Sequence, residues 1–123
     1  MSTAKDVLYR ARVDGQAIHQ KIAAATAKNE AAIRADLESA AADAKRLGDS
    51  LKTAAEGQRA DAKQQLNEAS SRFVQAAAEA KALGAASDAQ IRAANQAMID
   101  KTRVALLNLS HAIASTRSAA SKN

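Results

Sequence analysis

The chain has 123 residues, no cysteine, no proline and a formal net charge of +5. That length admits one domain, and the lack of cysteine excludes disulfides, thiolate nucleophiles and zinc–thiolate sites. Alanine supplies 35 residues, whereas Leu, Ile, Val and Phe together supply 20, so helix formers dominate and strand formers are scarce.

Residues 1–14 form a lead segment ahead of Asp14-Gly15. No apolar run follows a basic start there, so no secretory signal is expected. A first helix is predicted over 15–47, because Ile18, Ile22, Ala25, Asn29, Ala32, Ile33, Leu37, Ala40, Ala44, Leu47 and Leu51 recur at steps of three and four. Leu47-Gly48-Asp49-Ser50 ends it with a glycine and cap-type residues.

A second helix is predicted over 50–83, on the series Ala62, Leu66, Ala69, Phe73, Ala76, Ala80 and Leu83. Gly57 falls inside it, as a tolerated mid-helix glycine or a point of close helix approach. Gly84 is read as a left-handed helix end. Ser87 and Gln90 then form a capping box, with Asp88 favouring the positive N-terminal end of the next helix. The phrase Ala40–Gly48 returns as Ala76–Gly84, 36 residues later, and each copy reads as the end of a helix.

The third helix is predicted over 87–117, on Ile91, Ala94, Met98, Thr102, Ala105, Leu109 and Ala112. A flexible basic tail over 118–123 follows. The expected fold is all-α: an up-down-up bundle of three long alanine-rich helices joined by short connections. The alternative is a longer rod or coiled coil that oligomerises. Acid precedes base by three or four residues in pairs such as Glu30/Arg34, Asp43/Arg46 and Asp100/Arg103, which supports long helices.

No constellation for catalysis is present, and an enzyme is not expected. His19 and His111 would lie roughly 30 Å apart in parallel helices, too far to share a metal. Ser110-His111 are neighbours in sequence, which do not face each other on a helix. The four glycines are isolated, so no phosphate-binding loop is formed. No cofactor, metal or small-molecule substrate is expected. The longest dense apolar patch, Val104–Leu109, is far short of the roughly 20 residues of a membrane span. The chain reads as soluble and cytoplasmic.

Function is sought instead on surfaces. Alanine seams bury little apolar area per residue, so self-association or folding on a protein partner is expected. Residues 1–28, 29–88 and 89–123 carry net charges of +3, −2 and +4. Arg92, Arg103 and Arg117 fall near one line of the third helix, with Ile99, Leu106 and Leu107 beside its main apolar stripe. These six residues are the candidate interaction surface. Three readings follow. The first is a non-enzymatic helical scaffold or interaction protein, acting as a homo-oligomer or with a protein partner. The second is a coat on lipid or granule surfaces, because the Ala- and Lys-rich helical composition resembles that of phasins, apolipoproteins and late-embryogenesis stress proteins. The third is a nucleic-acid binder using phosphates alone. Tyr9 and Phe73 are the only aromatic residues, so stacking on bases is not provided for.

Overall fold

Four helices pack side by side in the computed structural model, which describes the backbone of residues 4–81 and 83–121 and the side chains of 6–81 and 83–116. They are α1 (Ala4–Ala25), α2 (Glu30–Glu56), α3 (Ala60–Ala78) and α4 (Asp88–Ser121), with a single 3-10 turn at Leu83–Ala85. No strand occurs among the described residues. Successive helices are antiparallel neighbours, and α4 packs back against α1 to close the ring. The pairing of His19 with Thr102 and of Thr26 with Asn95 shows that α1 and α4 run in opposite directions.

The all-α expectation holds, but the three expected helices are four. The first break falls where local chemistry, not glycine, ends the helix. The last turn of α1 tightens through the Lys28 N–H, which bonds to the Ala25 carbonyl at 2.9 Å. Asn29 then caps α2: its backbone is extended, and its side-chain oxygen accepts from the Ala32 N–H at 3.0 Å. An Asn N-cap satisfies one of the orphan donors of a first turn, and Glu30 adds a favourable charge there. Apolar spacing hides this break, because Ala25, Asn29, Ala32 and Ile33 continue the helical phase straight across it.

Glycine usage differs from expectation at all four glycines. Gly15 does not end a lead segment, since α1 runs through it. Gly48 lies inside α2, so the first copy of the repeated phrase is mid-helix and only the second ends one. Gly57 is the residue that ends α2; its N–H bonds to the Ala54 carbonyl at 3.2 Å, and the Gln58 N–H bonds to the Ala55 carbonyl at 3.1 Å. No glycine has a positive φ, so Gly84 is not a left-handed helix end. The expected capping box does form. The Ser87 N–H donates to Gln90 Oε1 at 2.8 Å, and the Gln90 N–H donates to Ser87 Oγ at 3.2 Å.

The core follows the predicted stripes closely. All seven residues of the Ile91–Ala112 series are buried, as are Ile18, Ile22, Ile33, Leu37, Leu47, Leu66 and Phe73. Of the predicted core positions, Asn29, Ala32 and Ala80 stay outside it. One layer draws on every helix. A Cβ placed on Gly15 of α1 would lie 2.9 Å from Phe73 Cζ of α3, 3.0 Å from Leu106 Cδ2 of α4 and 3.5 Å from Leu47 Cδ2 of α2. The single phenylalanine fills the space that the missing side chain leaves. A second close approach joins α2 to α3. A Cβ on Gly48 would lie 2.8 Å from Val74 Cγ2 and 3.1 Å from the Ser70 carbonyl oxygen. There the Ser70 hydroxyl donates to the Gly48 carbonyl at 2.6 Å.

Candidate functional site

The six expected surface residues do not form one face. Ile99 is buried in the core, only 8% exposed. Leu106 is half-buried and packs against the core at the Gly15 layer. Leu107 does project outward, at 56% exposure. Arg103 is exposed and lies 3.6 Å from Asp100. Arg117 belongs to α4, which runs on through 118–121 of the expected flexible tail, while the Arg117 side chain and residues 122–123 lie outside the described residues.

Arg92 is engaged within the fold. Its Nε donates to Glu30 Oε1 at 2.9 Å, and its Nη1 and Nη2 reach the Thr26 and Lys28 carbonyls at 3.5 Å. It thereby clasps the α1–α2 connection from α4. The Glu30 carboxyl is held below the ordinary carboxylate range, first by its own backbone N–H and then by the Arg92 guanidinium. Glu30 therefore pairs across the bundle with Arg92, while Arg34 Nε is buried without a hydrogen-bond partner. The local pairs Asp43/Arg46 and Asp100/Arg103 do form.

Two other features emerge from the packing. The first is the seam between α1 and α4. Three polar side chains are buried in the described chain, Ser70, Asn95 and Thr102. Two of them serve α1. Asn95 Nδ2 donates to the Ile22 carbonyl at 2.8 Å, and its Oδ1 accepts from the Thr26 hydroxyl at 2.8 Å. Thr102 Oγ1 lies 2.8 Å from His19 Nδ1 and 2.9 Å from the Met98 carbonyl oxygen. A hydroxyl has one proton. When it goes to the Met98 carbonyl, His19 Nδ1 must be the donor. Partial burial is the main influence that lowers the His19 pKa below 6.5, and the nearby Arg103 charge adds to it. The expected parallel placement of the two histidines is thus reversed. His111 stands nine residues beyond Thr102 on the antiparallel α4, roughly 14 Å along the axis.

The second feature is a groove between α1 and α2, of about 550 Å³. Exposed Val7 and Ala17 contribute its apolar surface above the buried Ala11, Ile18 and Leu47, and Arg10, Asp14, Lys21, Asp43 and Arg46 contribute its charges. The charges are of both signs. Asp43 pairs with Arg46, and Lys21 donates to Ser39 on α2. A mixed border of this kind does not build the single-signed field that concentrates a polyanion. Apolar surface flanked by charges of both signs is the pattern by which one helix seats another.

No family model, curated protein or solved structure matches this chain.

The site therefore rests on its own geometry. Among the described residues, no group of three or more His, Cys, Asp or Glu side chains is placed to hold a metal ion. No described helix is long and apolar enough to cross a membrane. Sequence periodicity pointed to α4 because its apolar residues exceed one stripe. Contact with both α1 and α3 accounts for Ile99 and Leu106, whereas Leu107 stays exposed. The α1–α2 groove had no comparable signal. Its charged residues come from positions far apart in the chain, and each looks like an ordinary solvated helix residue until the two helices are paired.

Proposed function

We propose that this protein is a non-enzymatic helical interaction module that works by associating with a second copy of itself through helix–helix packing. The observation that carries this reading is the α1–α2 groove, where exposed Val7 and Ala17, above the buried Ala11, Ile18 and Leu47, meet charges of both signs along two antiparallel helices. Helix-in-groove recognition uses an apolar floor for affinity and flanking charges for register. A copy of this chain supplies helices of matching composition. Each of the four helices is amphipathic and carries both acidic and basic residues.

A thin core supports the same reading. Ala11, Ala25, Ala40, Ala44, Ala55, Ala62, Ala69, Ala76, Ala94, Ala105 and Ala112 are all buried. Each returns far less burial energy than a leucine would, at about 25 cal/mol per Å². Association adds buried area without changing the fold. Sedimentation equilibrium of the full chain, from low micromolar to several hundred micromolar protein, tests it. A concentration-dependent dimer is expected. A strictly monomeric protein across that range would overturn the reading.

A further inference from the structure

We infer that α1 is a detachable helix, and that the surface it vacates on α2 and α4 accepts α1 of a second copy. The inference rests on the self-association proposed above and gives it a route in which α1 of one chain and α2 of the other re-form the groove between them.

Three observations single out α1. It packs more lightly against its two neighbours than α3 does against its own. Its flank toward α2 is the one that leaves the open groove. Its flank toward α4 sets His19 against Thr102 and the Ile22 carbonyl against Asn95, hydrogen bonds that water can replace when the helix lifts away. The net strength of such bonds is small, because folding exchanges them for bonds to water. α2, α3 and α4 remain joined through the Gly48–Ser70 crossing and the α3–α4 seam, where Asn108 donates to Gln65 at 2.9 Å.

The occupant is set by shape. With α1 gone, the exposed cleft contains the Phe73 ring and Leu106, which approach so closely that the level of residue 15 has no room for a side chain. It also contains the Asn95 amide and the Thr102 hydroxyl. A helix that fits must present a glycine at that level, a carbonyl to Asn95 Nδ2 seven residues later, and a polar ring to Thr102 between them. α1 meets all three with Gly15, Ile22 and His19. An identical α1 from another chain satisfies them equally. Exchange of an identical element is a low-cost route to a dimer, since every native contact outside the hinge is remade, and the Arg92 contacts to the Thr26 and Lys28 carbonyls are the ones that must open. The exposed Thr26–Asn29 connection is the hinge.

The experiment uses the absence of native cysteine. His19→Cys and Thr102→Cys are combined in the full chain, dimer is isolated by size, and the pair is joined with a short bis-alkylating reagent. In an exchanged dimer the two positions belong to different chains, so a covalent dimer is expected on a denaturing gel. If the isolated dimer yields only internally joined monomer, the exchange is overturned and the self-association stands. If the unsubstituted chain is monomeric at every concentration, both fall. Native-state hydrogen exchange on the unsubstituted chain gives a second measurement that no substitution can disturb. The slowest α1 amides are expected to exchange at least tenfold faster than the slowest amides of α3 and α4. Equal protection of all four helices would overturn the detachable α1.

Discussion

Gly15 and Phe73 face each other across the bundle: a Cβ at residue 15 would stand 2.9 Å from the tip of the Phe73 ring. The ring is wholly buried, so it cannot swing into solvent to make room. Gly15→Ala gains about 1 kcal/mol of helix propensity and loses about 1–3 kcal/mol to overpacking. A net destabilisation of about 1 kcal/mol is expected from urea unfolding. In a Phe73→Leu background the closest contact is gone and only Leu106 Cδ2, at 3.0 Å, has to shift, so the same Gly15→Ala change should cost clearly less than in the wild type. Equal effects in both backgrounds would show that the two residues are not coupled.

Gly48 and Gly84 end the two copies of the repeated phrase, yet their substitutions should behave differently. A Cβ on Gly48 would meet the Ser70 carbonyl and Val74. The carbonyl is backbone and moves only with α3. Gly48→Ala is expected to lower stability by about 1 kcal/mol, with overpacking outweighing propensity. Nothing lies within 4 Å of a Cβ on Gly84, and its φ is not positive. Gly84→Ala should change the thermal midpoint very little. A large loss at Gly84 with none at Gly48 would contradict the described packing.

Ala60 opens α3 with φ of +50°, a conformation that costs an L-residue roughly 1–2 kcal/mol. Glycine adopts it freely. Ala60→Gly is expected to raise stability by about 0.5–1 kcal/mol, the reverse of the usual penalty for glycine in a helix. A thermal melt that shifts downward would contradict the left-handed geometry at this turn.

His19 makes stability depend on pH. Its pKa in the folded chain is lowered from 6.5, chiefly by burial and further by Arg103. Below pH 6.5 the unfolded chain therefore binds more protons at this site than the folded chain. Stability rises with pH wherever the unfolded state holds more protons. The contribution is complete above about pH 6.5 and is lost as pH falls through the lowered folded value. Urea midpoints for the wild type and for His19→Gln should diverge between pH 7.5 and pH 5, with the wild type falling more steeply. Parallel curves would show that His19 carries no differential protonation.

Legibility in the sequence followed the range of the interaction. The capping box at Ser87 and Gln90 was readable because its partners are three residues apart. The core stripes from Ile33 to Leu51 and from Ile91 to Ala112 were readable because burial repeats with the helical period. The break after Ala25 was not, since an Asn N-cap interrupted the backbone while the apolar phase ran on unchanged. Gly15 and Gly48 were misread as breaks for a related reason. A glycine that ends a helix and one that admits a neighbouring helix look alike until the neighbour is placed.

Propensity, periodicity and caps are local quantities, so an all-α chain, its buried faces and the capped start of its last helix follow from the order of residues alone. Tertiary structure decided that there are four helices rather than three, that α4 runs antiparallel to α1, and that Arg92 clasps a connection more than 60 residues away. It also decided that the α1–α2 groove exists at all. These outcomes depend on which side chains meet across the bundle, and an alanine-rich helix, smooth on every side, leaves that choice to a few residues such as Gly15, Phe73, Asn95 and Thr102.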